Sequence, residues 1–74
     1  MPELPHISGS EIVKTFQKMG FTVARQKGSH VVLRRGGKGC VVPTHKEVAI
    51  GTLRSAIRQA GITPEEFMNS YKGK

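Results

Sequence analysis

The sequence predicts an α+β fold, with a three-stranded antiparallel sheet and helices packed on one of its faces. Two amphipathic segments with helix-start signals enclose a central stretch that is rich in β-branched residues and interrupted by glycines. The connections within that stretch are only a few residues long, and such short connections favour antiparallel hairpins. The predicted element order is therefore α-β-β-β-α, followed by one more short helix.

The first helix is predicted over residues 9–19. Ser8 and Glu11 have the S-x-x-E spacing of a capping box, in which each side chain accepts a hydrogen bond from the other residue's backbone. Apolar residues recur at helical spacing after them, so one face of the helix is suited to a core. Gly20 stands where a glycine commonly ends a helix in the left-handed conformation.

Three strands are predicted over residues 21–26, 29–35 and 40–43. Each contains alternating or β-branched apolar residues. Gly28 and the glycine-rich residues 36–39 supply the turns between them. The sheet is therefore expected to be a meander, in which strands that follow one another in sequence are neighbours.

A second helix is predicted over about residues 49–60, where apolar residues form one stripe and Gly61 follows. Thr63 and Glu66 repeat the capping-box spacing, which predicts a short third helix ending near Tyr71. The helices can cover one face of the sheet and leave the other face open to solvent. The same order of elements occurs in the double-stranded RNA-binding domain, a likeness of fold that does not by itself assign a function.

The whole chain, residues 1–74, is expected to form a single domain whose core spans about residues 9–68, with flexible ends. Cys40 is the single cysteine, which excludes an internal disulfide framework. The sequence has neither a secretory signal pattern nor an apolar run of the ~20 residues that a membrane-spanning helix needs. These features favour a cytoplasmic protein.

The charge of the chain points to an anionic partner. Lysine and arginine number 12 against 5 aspartates and glutamates, which gives a formal net charge of +7. In so short a chain this is a strong positive field, and such a field attracts phosphate backbones. Nucleic acid is the favoured partner, although an acidic protein or an anionic membrane would be attracted by the same field.

His30 is the residue best placed for chemistry. Alternation along the second strand puts Val31 and Leu33 towards the core and His30, Val32 and Arg34 on the open face. Imidazole exchanges protons near neutral pH, so an exposed histidine can take the proton of an RNA 2′-hydroxyl, whose oxygen then attacks the adjacent phosphate. Taken alone, however, the pattern is more typical of an ordinary surface histidine than of a catalytic one.

Basic residues cluster around the predicted turns and on the second helix, where they can bind an RNA backbone. His45 is included because it lies in the loop after the third strand, and loops often carry function. For Arg54 and Arg58 a solvated helix face is an equally good interpretation. The predicted substrate-binding residues of this kind are Arg25, Lys27, Arg34, Arg35, Lys38, His45, Arg54 and Arg58. The histidines and Cys40 are too scattered for a zinc spacing, so no metal and no cofactor is predicted.

Several motifs together resemble one family. Residues 25–30, Arg-Gln-Lys-Gly-Ser-His, resemble the R-x-x-G-S-H signature of HicA-type toxins. Val42 and Pro43, followed by a histidine-containing loop, are similar to the next family element. Residues 51–62 resemble the family block G-T-L-R-x-x-I-x-x-A-G-I. The resemblance covers about residues 9–68, with the motifs in the family's order and spacing.

The resemblance implies a double-stranded-RNA-binding-like fold and an endoribonuclease of the mRNA interferase type, the toxin of a type II toxin–antitoxin system that acts in stress responses. It implies a HicB-type antitoxin as partner and messenger RNA as substrate. The family's catalytic histidine corresponds to His30, and its glycine-serine context to Gly28 and Ser29 in substrate binding. Val31 and Val32 depart from the polar or aromatic continuation that members often have. The alternative is a non-catalytic RNA-binding module that uses the same basic face.

Overall fold

A computed structural model describes residues 4–73 of the chain. Its elements are α1 (Gly9–Lys18), β1 (Thr22–Lys27), β2 (His30–Arg35), β3 (Lys38–Pro43), α2 (Ile50–Ala60) and α3 (Pro64–Lys72). The three strands form one antiparallel sheet in the order β1-β2-β3. The predicted α+β class and element order are confirmed.

Capping boxes start two of the helices, as their spacing predicts. At α1, the Glu11 amide donates to Ser8 Oγ over 3.1 Å, and the Ser8 amide donates to the Glu11 carboxylate over 3.1 Å. At α3, Thr63 and Glu66 exchange the equivalent bonds over 3.0 Å and 2.8 Å. These bonds satisfy backbone donors that a helix start would otherwise leave without partners. Helix α2 has no such side-chain cap, because Ala49 occupies its N-cap.

Both hairpins close through two-residue turns, and this moves the strand boundaries slightly from those predicted. Lys27 pairs with His30 across the turn at Gly28, and Arg35 pairs with Lys38 across the turn at Gly36. Both glycines have a φ of +59°, a conformation that residues with a side chain adopt only at a cost. Strand β3 therefore begins at Lys38, two residues before the predicted start, because a tight turn lets pairing begin at once.

The core lies between one face of the sheet and the helices. Helix α1 crosses all three strands, α2 packs mainly along β3, and α3 packs on α1. An aromatic cluster joins these layers, since the Phe16 ring lies 5.1 Å from the ring of Phe21 and 5.5 Å from that of Phe67. Leu33 and Val42, both 0% exposed, supply the core side of the central and third strands. The opposite face of the sheet carries no helix in the described part of the chain.

The segment before α1 also packs against the core. Leu4 and Ile7 are 5% and 6% exposed, although both precede the residues expected to form the core. The Ile7 carbonyl accepts from the Val48 amide over 2.9 Å, which ties this segment to the chain between β3 and α2. At the other end, α3 continues through Lys72, while the expected frayed end at Lys74 lies outside the described residues. None of the described helices is both long and apolar enough to cross a membrane.

Candidate active site

His30 begins β2 on the open face of the sheet. Its neighbour Val31 is 5% exposed and Leu33 is 0% exposed, so these two residues point to the core. His30 and Arg34 are exposed and Val32 is half-buried, as the alternation predicts. Alternation is obeyed because the burial of Val31 and Leu33 fixes the register of the strand.

Strand pairing places cations beside His30. Lys27 is the direct cross-strand partner of His30, and Arg25 is the partner of Val32. Opposite residues in an antiparallel pair have Cβ atoms only about 4.5–5.5 Å apart on the same face. Lys27 therefore stands next to His30, and Arg25 stands in the adjacent row of the open face. A bulge between Val23 and Arg25 sets this register.

An open depression of about 600 Å³ lies at this end of the sheet. It is lined by Arg25, Lys27, Gly28, Ser29, His30 and Val32. No described residue of its lining carries a carboxylate. Gly28 has nothing within 4 Å of the place where a Cβ would stand, so a ligand backbone can approach the turn closely. The arrangement combines one imidazole with two cationic side chains, which suits a phosphate ester as ligand.

The chain that follows β3 is fastened to this same end of the sheet. The Thr44 amide donates to the Ser29 carbonyl over 2.7 Å, and Thr44 Oγ1 donates to the same oxygen over 3.1 Å. The next residue, His45, is exposed, and its carbonyl accepts from the Gly9 amide over 2.9 Å. Sequence reasoning missed Thr44, because a threonine after a strand carries no signal of the partner that its hydroxyl finds.

Arg35 lies on the helix side of the sheet. Its guanidinium donates to the Met19 carbonyl over 2.8 Å and stands 4.7 Å from the centre of the Phe21 ring. The first contact satisfies a carbonyl at the end of α1, and the second is a cation–π contact. These contacts help to hold α1 on the sheet. Arg35 is the last residue of β2, at the opposite end of the strand from His30, so the structure does not bring the two residues together.

Lys38 and the arginines of α2 also lie away from His30. The stem of Lys38 packs over Gly61, where an added Cβ would stand 3.3 Å from its Cδ and Cε atoms. Lys38 pairs with Arg35, so it lies at the far end of β2 from His30. Arg54 and Arg58 line a separate depression at the junction of α2 and α3. Neither arginine lines the depression at His30.

His6 and Cys40 lie outside the depression at His30. His6 Nδ1 lies 3.5 Å from the Glu47 carboxylate, in the segments that precede α1 and α2. Burial raises the pKa of the Cys40 thiol to about 11, so this side chain is a neutral thiol at physiological pH. Over residues 4–73, no three histidine, cysteine, aspartate or glutamate side chains come together as a candidate metal site.

The sequence of the chain matches one known protein family. The family described as HicA toxin of bacterial toxin-antitoxin matches residues 9–62, well over half of the chain. The chain belongs to the HicA toxin family. Toxins of this kind are paired with an antitoxin, so membership implies an antitoxin partner. No curated protein matches the chain.

The HicA match coincides with the part of the fold that builds the site. It begins at the first residue of α1, includes the whole sheet and α2, and ends before α3. The buried segment at Leu4 and Ile7 and the helix carrying Phe67 lie outside it. Both additions complete the core rather than the open face of the sheet.

Proposed function

We propose that this HicA-family protein is an endoribonuclease that cleaves messenger RNA, with His30 as the general base. The observation that carries the proposal is the position of His30, which is exposed in an open depression beside Lys27 and Arg25. A base at this place can take the proton of a 2′-hydroxyl, whose oxygen then attacks the neighbouring phosphorus. Messenger RNA is a cytoplasmic substrate, and the cytoplasm is where we propose that the protein acts.

The cations beside His30 have a defined part in this reaction. Negative charge grows on the phosphoryl oxygens as the 2′ oxygen attacks, and fixed positive groups stabilise it. Lys27 is nearest to His30 by strand pairing, while Arg25 and Arg34 extend the positive surface along the open face. Gly28 leaves room for the RNA backbone at the turn. We confine the proposed contact surface to these residues together with Ser29 and His45.

The proposed reaction needs no divalent metal. Metal-dependent phosphodiester cleavage commonly holds its ions on acidic side chains. Here Glu11 and Glu66 are used in capping boxes, and Glu47 lies beside His6. Cleavage is therefore expected to persist in excess chelator, and its loss there with recovery on adding magnesium would contradict this part of the proposal.

The first prediction is that His30→Ala abolishes cleavage of a long RNA and leaves the fold intact. The side chain is exposed, so its removal should change the free energy of unfolding by no more than ~0.5 kcal/mol. Gel analysis of RNA fragments measures cleavage, and thermal unfolding followed by circular dichroism measures stability. His6→Ala is the matched control, because His6 is another exposed histidine that does not line the depression.

The outcomes separate the two classes of function that the sequence left open. Cleavage by the wild type and by His6→Ala, but not by His30→Ala, supports the ribonuclease. Cleavage by His30→Ala at the wild-type rate would refute the proposed mechanism. Binding of RNA by the wild type without any cleavage would instead support a non-catalytic RNA-binding module.

The second prediction concerns a HicB-type antitoxin, which we propose covers the open face of the sheet. A partner with an acidic surface is steered to the same cations that attract RNA. Antitoxin should therefore release labelled RNA from the His30→Ala variant, which keeps the binding surface and should not cut. Fluorescence anisotropy measures the release. A stable complex of antitoxin, RNA and toxin with undiminished RNA affinity would exclude direct competition.

A further inference from the structure

The segment after β3 is held against the start of β2 from two sides. On the sheet side, Thr44 donates two hydrogen bonds to the Ser29 carbonyl, over 2.7 Å and 3.1 Å. On the helix side, the His45 carbonyl accepts from the Gly9 amide over 2.9 Å. An added Cβ at Gly9 would collide with the Pro43 carbonyl oxygen, so α1 and this segment are in direct backbone contact. The backbone of His45 is therefore fixed, while its side chain is exposed.

Strand register brings this fixed backbone close to His30. The cross-strand partner of His30 is Pro43, two residues before His45. Paired residues have Cα atoms at most about 5.5 Å apart, and each further residue adds at most about 3.8 Å. The Cα atoms of His30 and His45 are thus no more than about 13 Å apart. Two imidazoles on such backbones can reach opposite sides of one phosphodiester group.

The reaction proposed above also needs a group that donates a proton to the leaving oxygen. When the 2′ oxygen attacks, the bond between phosphorus and the 5′ oxygen breaks, and that oxygen is a poor leaving group unless it is protonated. Arg25 and Lys27 are the cations of the depression, and their part is to stabilise charge on the phosphoryl oxygens. Imidazolium gives up a proton readily near neutral pH. His6 faces Glu47 at 3.5 Å, which leaves His45 as the histidine placed nearest to His30 by the backbone.

We propose that His45 is the general acid of this protein, an inference that rests on the proposed ribonuclease function. His30 takes the proton of the 2′-hydroxyl, and the 2′ oxygen forms its bond to phosphorus. The bond from phosphorus to the 5′ oxygen breaks, and His45 gives its proton to that oxygen. The products are a 2′,3′-cyclic phosphate and a 5′-hydroxyl. His30 is left protonated and His45 neutral, and exchange with water restores both.

The test compares two leaving groups on the same oligoribonucleotide. One substrate has ordinary phosphodiesters, and the other has a single linkage in which sulfur replaces the bridging 5′ oxygen. A thiolate leaves without being protonated, so the second substrate does not need a general acid. His45→Ala should slow cleavage of the ordinary RNA by about 10²- to 10⁴-fold, the usual contribution of a general acid. The same His45→Ala variant should cleave the sulfur-bridged linkage at a rate within about tenfold of that of the wild type.

Three further variants test whether the effect is specific to the imidazole of His45. His45→Gln keeps a polar side chain and should behave as His45→Ala does. His30→Ala lacks the base and should fail on both substrates. His6→Ala, the matched exposed histidine, should cleave both at the wild-type rate. Thermal unfolding shows that each variant is folded at the assay temperature.

The outcomes distinguish this inference from the function on which it rests. Equal slowing of both substrates by His45→Ala would show that His45 binds or positions RNA, and it would overturn the general-acid role. No slowing on either substrate would overturn it as well. In both cases the ribonuclease function stands if His30→Ala is inactive. If His30→Ala cleaves the ordinary RNA as the wild type does, the proposed function itself fails.

Discussion

Burial changes the acid–base chemistry of Cys40, which lies on the core side of β3. The side chain is 3% exposed, and burial raises the pKa of its thiol from 9.0 to about 11. The folded protein therefore keeps this proton to a higher pH than the unfolded chain does. The stability that follows is fully present below about pH 9 and is lost as pH rises towards about 11.

The third prediction is that the free energy of unfolding falls more steeply above pH 9 in the wild type than in Cys40→Ala. Urea denaturation at a series of pH values from 8 upwards measures the difference. Other groups titrate in the same range, but they are common to both proteins and cancel in the comparison. Parallel pH dependence in the two proteins would contradict the prediction.

Residues on the sheet show what the sequence could and could not predict at this scale. The alternation of Val31 and Leu33 placed His30 on the open face, because a half-buried strand has a period of two. Arg34 and Arg35 are both basic, so the sequence predicted both of them as RNA-binding residues. The contacts of Arg35 with Met19 and Phe21 depend on how α1 lies on the sheet, and no local pattern encodes that.

At the scale of elements, α3 closes the aromatic part of the core. Phe67 is 0% exposed, and its ring lies 5.5 Å from that of Phe16 and is stacked with that of Tyr71 at 6.4 Å. Helix α3 lies beyond the HicA match at residues 9–62. The burial of Phe67 nevertheless makes α3 part of the same core, and removing this aromatic ring would leave a cavity.

The fourth prediction is that Phe67→Ala lowers the free energy of unfolding by about 3 kcal/mol or more. That is a large part of the roughly 4–11 kcal/mol expected for a domain of this size. Asn69→Ala is the control, because Asn69 is exposed on the same helix and its loss should change the value by no more than ~0.5 kcal/mol. Urea denaturation followed by circular dichroism measures both. A loss below about 1 kcal/mol for Phe67→Ala would show that α3 is not an integral part of the core.

The outer edge of β3 shows an element-level feature that sequence reasoning did not find. The Val41 amide on this edge donates to Gln59 Oε1 of α2 over 3.4 Å. Pro43 lies two residues further along β3, and because proline has no backbone N–H it offers no donor to another strand. An exposed strand edge invites pairing with other chains, and here a side chain and a proline block it. The helical pattern predicted α2 but not the side chain that it would turn to the sheet.

For the whole molecule, the net charge of +7 is divided between surfaces. Arg25, Lys27 and Arg34 belong to the open face of the sheet, whereas Arg54 and Arg58 belong to the junction of α2 and α3. The composition predicted an anionic partner, but it does not show on which surface each charged side chain lies. The division follows only from the packing of α2 along β3, which turns its arginines away from His30.

The fifth prediction is that RNA affinity falls steeply with salt and that single charges on the open face account for the slope. Each phosphate contact with a single strand contributes about −0.7 to the slope of log affinity against log salt. In the His30→Ala background, Lys27→Gln should flatten the slope by about 0.7, and Arg58→Gln should leave it unchanged. Fluorescence anisotropy at several salt concentrations measures it. Equal effects of the two substitutions would extend the RNA surface onto α2.

Two backbone hydrogen bonds, from the Val48 amide to the Ile7 carbonyl and from the Gly9 amide to the His45 carbonyl, join the segment around α1 to the segment after the sheet. During synthesis, a ribosome that has released His30 has not yet released His45. Under the mechanism proposed here, a growing chain therefore carries a base without its acid. It also lacks α2, without which the sheet has no complete core. Under the proposed mechanism, a chain that ends before α2 would therefore not cleave RNA.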